Sequence, residues 1–306
     1  MEQKLLDSKI IFKLKILEEM SKQEVVELDN LAKELGILPT SVEALINEMR
    51  NNYLIKVDNS KVVWLAGDNP ARIKPWGWNY VYKPLVGSTM HVAKQLSSWS
   101  IVVSEYQIYS YGRHGKEWIS DLGGVWVTFK FPIEERLAQY LPVTIPVILC
   151  ELFREKFGVD AKIKWPNDVV VAGRKLAGIL VEGEYYKNKL HMYIGIGINV
   201  NNDPKLKKAV SLKKLTGKLT PRNRIISYLS GIMGRIEKYV EDHGKLQAQY
   251  LQLLETLGRR VAVLILGNGV IIGKVSGVTE TGDIIIDTGT EKLKLSSTEI
   301  YELKYI

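Results

Sequence analysis

The stretch "KWPNDVVVAGRKLAGILVEGEYYKNKLHMYIGIGINV", residues 164–200, decides the fold of the central part of the chain. Its β-branched and apolar runs are separated by the short turns "AGRK" and "KNK". Parallel neighbours need a crossover of about a dozen residues, so turns this short predict antiparallel strands. Helical patterns on both sides of the stretch then place the chain in the α+β class, with a mixed, mainly antiparallel central sheet.

The central segment, residues 79–255, mixes these strands with helices. "GSTMHVAKQLSSW" (87–99) predicts a loop followed by a helix that Ser88 or Thr89 can cap. Helical periodicity covers 141–158 and 222–258. From residue 256 the chain shows five β-rich runs separated by "GNG", "TGD" and "GTEK". Turns this closely spaced predict a small closed β-barrel over 256–306.

Residues 1–67 predict a separate module. Apolar residues recur at helical spacing over about 5–20, 24–35 and 40–50, and a β-hairpin pattern, "YLIKVDNSKVVWLAG", follows. This order is typical of a winged helix-turn-helix. The turn-forming residues of 68–78 predict a linker to the central segment.

The charge of the chain is unevenly distributed. Residues 1–67 hold nine Lys/Arg and eleven Asp/Glu, a net charge of −2. Because the whole chain has a net charge of +8, the remaining residues have a net charge of +10. DNA affinity depends mostly on cations that neutralise phosphates. We therefore expect the winged helix to bind DNA weakly or not at all, and a packing module is the alternative interpretation.

Composition excludes several classes of protein. One cysteine, Cys150, rules out an internal disulfide, and the four histidines never approach the spacing of metal ligands, so we expect no structural metal. No apolar run is long enough to cross a bilayer, and the N-terminus lacks a signal-peptide pattern. The sequence predicts a cytoplasmic protein without a membrane partner.

Two glycine-containing stretches indicate an anion site. "SEYQIYSYGRHGKEWIS" (104–120) places Arg113 between glycines, and Lys175 follows Gly173 by two residues. A guanidinium and an ammonium together would stabilise a carboxylate, a phosphate or the mixed anhydride of both. Gly195 and Gly197 leave one strand face bare, either for a flat ligand or for a packed neighbour. The chain has no P-loop and no dinucleotide fingerprint.

Together these stretches resemble biotin protein ligases, a family with a glycine–arginine loop preceded by a glutamine. "KWPND", "RKLAGILVE" and "GIGINV" match that family almost letter for letter, and "GSTM" and "VSLKKLTG" stand at related positions. The resemblance covers about 80–306, and the winged helix places the chain with bifunctional ligase–repressors. The residues that fall at the spacings of this loop are Gln107, Gly112, Arg113, Gly115, Lys116, Trp118 and Ser120.

The resemblance implies a fold and a reaction. The fold is a class II synthetase-like core followed by an SH3-like barrel. The reaction joins biotin to ATP as biotinyl-5′-adenylate, with Mg²⁺ accompanying ATP through protein ligands that the sequence does not identify. Biotin then passes to one lysine of a biotin carboxyl carrier protein. Dimers are usual for this architecture, so a homodimer is expected.

The resemblance also implies roles for individual residues. Ser88, Thr89 and Gln107 would hydrogen-bond the ureido ring of biotin, and Gly195 and Gly197 would leave room for the bicyclic ring. Arg113 would neutralise the α-phosphate, and Lys175 would lie between that phosphate and the biotin carboxylate. Asp168 would orient or deprotonate the acceptor lysine, or Asn167 and Asp168 would only form a turn. The implied biotin set is completed by Met90, Tyr111, Gly112 and Gly178, and the adenylate set by Lys116, Trp118, Asn167 and Asn199.

The chain departs from the family pattern at five positions. Ser110 and Tyr111 replace the first glycine and arginine of the loop, His114 and Lys116 replace further arginines, and Met90 replaces an asparagine. These changes reduce the charge and flexibility of the loop, so we expect adenylate retention to differ from that of usual members. Two alternative functions stay open: a lipoate-type acyl ligase, and a biotin-sensing transcription repressor.

Overall fold

The computed structural model of the chain describes residues 6–267 and 269–306. The chain forms two compact units, Met1–Phe131 with Tyr193–Gly234, and Pro132–Met192 with Arg235–Ile306. The predicted boundaries at residues 67, 78 and 255 follow the sequence pattern rather than this division, and they stay predictions.

The first unit begins with three helices and a β-hairpin, as the winged-helix pattern predicted. Asp7 caps the first helix, because its side chain accepts a hydrogen bond from Lys9 N at 3.0 Å. The three strands pair in the order β1-β3-β2. The predicted helix start at residue 5 lies outside the described residues. The elements are α1 (Ser8–Lys22), β1 (Val26–Glu27), α2 (Leu28–Leu35), α3 (Pro39–Met49), β2 (Ile55–Asp58) and β3 (Lys61–Trp64).

The remaining elements alternate strands and helices up to a C-terminal run of strands. The helical pattern predicted over 222–258 is divided into three helices, which end near Gly234, Asp242 and Leu253. In chain order the elements are β4 (Asn79–Val86), α4 (Thr89–Gln95), β5 (Ser100–Gln107), β6 (Val125–Ile133), α5 (Glu135–Ala138), α6 (Leu141–Phe157), β7 (Lys162–Lys164), β8 (Asp168–Val171), β9 (Arg174–Tyr186), β10 (Lys189–Ile198), α7 (Leu212–Thr216), α8 (Arg222–Met233), α9 (Ile236–Val240), α10 (His243–Leu253), β11 (Arg260–Ile265), β12 (Val270–Val278), β13 (Ile284–Asp287), β14 (Lys292–Leu295) and β15 (Ile300–Tyr305).

The central sheet is mixed, as predicted. In the first unit its strands follow the order β4-β5-β6-β10. Strands β4 and β5 are parallel, because the connection between them carries α4, whereas β5 and β6 are antiparallel. Every residue of β5 is buried, so this strand is covered on both faces. Its last residue, Gln107, is therefore held at the end of a rigid strand.

In the second unit the strands follow the order β10-β9-β8-β7. β8 pairs antiparallel with both β7 and β9. The turn between β8 and β9 consists of Ala172 and Gly173, with φ of 49° and 71°. Lys187 and Asn188, with φ of 48° and 59°, connect β9 to β10. Two successive positive φ values are the geometry of tight hairpin turns, which confirms the interpretation of "AGRK" and "KNK".

The C-terminal strands form one antiparallel sheet in the order β14-β13-β12-β11-β15. Among the described residues its edge strands β14 and β15 do not pair with each other. Closure into a barrel therefore stays a prediction. Asn268 of the predicted "GNG" turn lies outside the described residues.

A buried ionic cluster ties the winged helix to the rest of the first unit. Arg222, at the start of α8, is 1% exposed, and its guanidinium lies 2.8 Å from Asp68 Oδ1 and 2.6 Å from Glu105 Oε2. Tyr53, after α3, donates a hydrogen bond to Glu105 at 3.0 Å. Trp64 Nε1 of β3 donates one to Asp68 at 2.9 Å. One guanidinium thus joins the hairpin and linker to β5.

The charge states of this cluster follow from burial and pairing. Burial alone would lower the pKa of the Arg222 guanidinium, but Asp68 and Glu105 raise that pKa well above its usual value. Burial, reinforced by Glu105, raises the pKa of Tyr53. The Tyr53 phenol therefore stays protonated and donates to the carboxylate. Charged groups are almost never fully buried unless they are paired in this way.

Replacement of Arg222 by methionine should strongly destabilise the protein. The change leaves Asp68 and Glu105 buried without their cation, which costs about 3–5 kcal/mol in comparable clusters. Denaturant unfolding of Arg222→Met measures the loss. Arg136→Met is the matched control, since the exposed Arg136–Glu134 pair should contribute less than about 1 kcal/mol. Equal losses in the two variants would contradict the assigned role, and Asp68→Asn combined with Arg222→Met should lose less than the sum of the single changes.

Candidate active site

A chain of hydrogen bonds holds Gln107 at the end of β5. Its Oε1 accepts from the backbone N and the hydroxyl of Thr89, at 2.8 and 2.9 Å. Its Nε2 donates to Ser120 Oγ at 2.9 Å. Because the backbone N–H of Thr89 can only donate, it fixes which end of the Gln107 amide faces α4. Thr128 on β6 donates to the Thr89 hydroxyl at 2.8 Å and extends the chain across the sheet.

The glycine–arginine loop is closed at its base by a serine. Ser110 Oγ donates to Trp118 O at 2.5 Å and accepts from Ser120 Oγ at 2.9 Å. The backbone carbonyl of Ser110 accepts from Trp118 N at 3.0 Å. Ser110 stands where the resembled family has glycine, so the departure adds hydrogen bonds that join the two ends of the loop.

The tip of the loop is a single tight turn. His114 and Gly115 both have positive φ, 55° and 68°. Gly112 N donates to Lys116 O at 2.8 Å, which closes the turn around Arg113. Arg113 Nη2 lies 3.3 Å from His114 Nε2. The Arg113 guanidinium is partly exposed on this turn, so an anion can reach it from solvent.

Trp118 covers the bare face of β10 at Gly197. A Cβ added to Gly197 would lie 2.6 Å from the Trp118 ring, so only glycine fits beneath this indole. The packed-neighbour interpretation therefore accounts for Gly197. Contact of a ligand ring with Gly197 stays a prediction, and it requires Trp118 to move.

The other predicted site residues of the first unit are near neighbours in sequence of Thr89, Arg113 or Gly197. Ser88 occupies the N-cap position of α4, but its side chain makes no capping hydrogen bond. Ser88 and Met90 are buried. The Tyr111 ring lies 5.4 Å from that of His91, Lys116 is exposed, and Gly195 is half-buried on β10. Asn199 Oδ1 accepts a hydrogen bond from Asn202 at 2.8 Å.

Asp168 and Lys175 form an ion pair in the second unit. Lys175 Nζ lies 2.6 Å from Asp168 Oδ1, and the two side chains are 32% and 25% exposed. The β8–β9 pairing contains a bulge, because Val169 pairs with Ala177 but Val170 pairs with Lys175. Without the extra residue, Leu176, Lys175 would pair with Val171 and point to the face opposite Asp168. The bulge is what brings the ammonium and the carboxylate together.

Asn167 continues the register of this hairpin. Its backbone O accepts from Ile179 N at 3.0 Å, and its Nδ2 donates to Ile179 O at 2.6 Å. Gly178 is the cross-strand partner of Asp168. Hydrogen bonds therefore join Asn167 and Asp168, the polar end of "KWPND", to β9. The backbone at Asp168 and Lys175 has little freedom to move.

The predicted site residues fall into two sets, one in each unit. The structure brings Thr89, Gln107, Arg113 and Trp118 into the first unit, and Asn167, Asp168, Lys175 and Gly178 into the second. Sequence reasoning missed Ser110 and Thr128 as partners of this network. Thr128 was detectable as the lone hydroxyl within the apolar strand "VWVTFKF", since a buried hydroxyl needs a hydrogen-bond partner.

The described residues contain no group of three or more His, Cys, Asp or Glu side chains placed to hold a metal ion. Mg²⁺ commonly keeps several waters and binds through substrate phosphates with one or two carboxylates. A Mg²⁺ ion that arrives with a nucleotide would need no such group of side chains. In the same described residues, no helix is long and apolar enough to cross a bilayer.

The chain is similar to known proteins in sequence and in fold. Residues 84–199 match the Biotin/lipoate A/B protein ligase family. The chain is 28% identical over 245 residues to the bifunctional ligase/repressor BirA of Bacillus subtilis (strain 168), over 73% of this chain and 74% of that protein. It is 27% identical over 217 residues to the biotin–[acetyl-CoA-carboxylase] ligase of Mycobacterium tuberculosis, over 67% and 79% of the two chains.

A solved structure shows the same fold. The biotin protein ligase from Aquifex aeolicus in complex with biotin and ATP superposes with a TM-score of 0.63 at 28% identity. The match covers 74% of this chain and 99% of that one. Residues 84–199 of this chain thus form a domain that matches the Biotin/lipoate A/B protein ligase family.

Proposed function

We propose that this protein is a biotin–protein ligase that forms biotinyl-5′-adenylate and transfers biotin to a lysine of a biotin carboxyl carrier protein. The observation that carries the proposal is the Lys175–Asp168 ion pair, fixed by the β9 bulge within the matched domain. Relatives named for biotin ligation, and a neighbour that binds biotin and ATP, support the same reaction.

In the first step a biotin carboxylate oxygen would attack the α-phosphorus of ATP, and pyrophosphate would leave. Two anions must approach, so a fixed cation lowers the barrier most effectively. We assign this work to the Lys175 ammonium, with Arg113 on the α-phosphate. Mg²⁺, held by the nucleotide phosphates, would supply further neutralisation. Thr89 and Gln107 would orient the biotin ring, because the second N–H of the Gln107 amide can still donate.

In the second step the acceptor lysine amine would attack the acyl carbon, and AMP would leave. The amine must lose its proton, and Asp168 is the carboxylate within the matched "WPND" stretch. While Lys175 pairs with Asp168, that carboxylate is occupied. When Lys175 turns to the substrate anions, Asp168 becomes able to receive a second ammonium group. One ion pair would thus serve both half-reactions in turn.

The two alternative functions differ from the proposed one in what the protein binds. A lipoate-type ligase would activate lipoate instead of biotin, and the family description includes both acids. A biotin-sensing repressor would add regulated DNA binding, which the relatives named ligase/repressor suggest. A homodimer and a cytoplasmic location complete the proposal, the first from the architecture of the resembled family and the second from composition.

The full chain should biotinylate a carrier domain. Incubation with ATP, Mg²⁺, biotin and a biotin carboxyl carrier domain, followed by a probe for biotinylated lysine, tests the transfer. ATP–pyrophosphate exchange with biotin and with lipoate tests the choice of acid. Exchange with lipoate alone would overturn the proposal in favour of the lipoate-type ligase.

Lys175→Met should abolish adenylate formation while the protein stays folded. Methionine keeps the apolar stem but loses the charge, and removal of one such preorganised group costs roughly 10²–10³ in rate. Biotin-dependent pyrophosphate release measures the effect, and circular dichroism controls for the fold. Lys189→Met, an exposed change at the start of β10, should turn over normally. Near-normal turnover of Lys175→Met would remove this residue from the mechanism.

Arg113→Ala should release the adenylate faster and change biotin binding little. A hydrogen bond to a charged group contributes roughly 1.5–3 kcal/mol, which is about tenfold or more in dissociation rate. Rapid-dilution measurement of adenylate release separates this effect from biotin affinity. Arg136→Ala, an exposed change in the second unit, serves as the control. If Arg113→Ala keeps the adenylate as long as the unchanged protein does, the guanidinium has another role.

Asp168→Asn should separate the two half-reactions. Asparagine keeps the shape of the turn, so biotin-dependent pyrophosphate release should stay within a few-fold of normal. Transfer to the carrier domain should slow by roughly 10²–10⁴, the usual contribution of a general base. Single-turnover transfer from preformed adenylate measures this step. Equal slowing of both steps would show that Asp168 acts only by holding Lys175.

A further inference from the structure

The hydrogen bonds around Gln107 form one directed chain that ends in the glycine–arginine loop, residues 110–120. Each side chain of this chain donates to the next one. In order the members are Thr128, Thr89, Gln107, Ser120 and Ser110, and the last donates to the backbone O of Trp118. A hydroxyl carries one hydrogen, so every hydroxyl of the chain is committed in the same direction. Bonds in such a chain strengthen one another, so the loss of one member weakens the rest.

Ser110 is the member that joins this chain to the loop. Its hydroxyl accepts from Ser120 Oγ at 2.9 Å and donates to Trp118 O at 2.5 Å, so it connects the first residue of the loop to the last ones. Ser110 is buried, so loss of its hydroxyl would leave both partners short of a hydrogen bond. Glycine, which the resembled family has at this position, has no side chain with which to make either bond.

Tyr111 attaches the loop to a second element. Its ring lies 5.4 Å from the ring of His91, which is on α4 two residues after Thr89. The backbone of Tyr111 also pairs antiparallel with that of Glu117 across the loop. In the resembled family an arginine stands at position 111, so here a ring contact takes the place of a cation. The departures at positions 110 and 111 thus both add contacts that hold the loop.

We propose that Ser110 and Tyr111 are positioning residues, which hold the glycine–arginine loop closed through contacts of the protein alone and so fix the backbone of Arg113 for its anion. Arg113 follows them directly in the turn that Gly112 N closes on Lys116 O at 2.8 Å. A loop that is ordered in advance loses less conformational entropy when the anion binds. Closure of the loop stands on its own contacts, whereas its effect on the adenylate rests on the proposed function.

Amide hydrogen exchange of the full chain, read by mass spectrometry over residues 110–120, tests the closure without any substrate. The amides of Gly112 and Trp118 donate within the loop, at 2.8 and 3.0 Å, so they exchange when the loop opens. In Ser110→Ala and in Tyr111→Ala they should exchange about fivefold faster or more, since each change removes contacts that favour the closed loop. Ser110→Thr and Tyr111→Phe, which keep the hydroxyl and the ring, should exchange within about twofold of the unchanged protein.

Ser230→Ala is the matched control, because it removes another serine-to-carbonyl hydrogen bond of the first unit, to Ser227 O at 2.9 Å. It should leave exchange of the two loop amides unchanged. If either Ser110→Ala or Tyr111→Ala leaves those amides as slow as in the unchanged protein, the proposal is overturned. Exchange in the unchanged protein at the rate of an unstructured chain would overturn it as well.

A second measurement asks whether closure serves the reaction. Rapid dilution should show biotinyl-adenylate leaving Ser110→Ala about threefold faster or more, because the open loop must be ordered again at each binding event. The maximal rate of adenylate formation should change much less, since Arg113 and Lys175 are still present. Unaltered adenylate release from a variant with fast exchange would overturn the positioning role. Failure of the unchanged protein to form the adenylate would count against the proposed function alone, because the exchange measurement needs no substrate.

Discussion

The first unit depends on one buried guanidinium. Arg222 reaches Asp68 in the linker, Glu105 on β5 and the backbone O of Gly124, and its charge lies over the Tyr53 ring at 4.8 Å. These partners belong to four separate stretches of sequence. A buried charge must be matched by its surroundings, so each stretch is held where its polar group meets Arg222. The linker predicted from turn-forming residues is consequently immobile at Asp68, which is fully buried.

The Arg222 cluster also constrains the strand that carries Gln107, a residue proposed to bind biotin. Glu105 and Gln107 are two positions apart on β5, so their side chains point to the same face of the sheet. Glu105 is held by Arg222 and Tyr53, while Gln107 is held by Thr89 and Ser120. The two polar side chains on this face of β5 are thus both hydrogen-bonded. A strand fixed in this way would present the Gln107 amide to a ligand with little loss of conformational entropy on binding.

Local patterns in the sequence predicted the helices, strands and turns well. They did not predict contacts between residues that are far apart in sequence. The tight turns at Ala172–Gly173 and Lys187–Asn188 follow from short spacing alone. The burial of Arg222 could not be predicted from "TPRNR", because its partners are 154 and 117 residues away in sequence. The bulge at Leu176 was equally hidden, since register depends on both strands. The motif named Asp168 and Lys175, but only the register shows that they share a face.

The Asp168–Lys175 pair explains how a cationic site can exist before its substrates arrive. A partly buried ammonium loses hydration, and a carboxylate at 2.6 Å compensates for that loss. Partly exposed pairs contribute only about 1 kcal/mol or less, so an incoming carboxylate or phosphate can displace Asp168 without a large penalty. Methionine or glutamine at position 175 would need no partner, but neither could neutralise two anions. In the proposed reaction, the weakness of the pair would let Lys175 be held in place and still be available to the substrates.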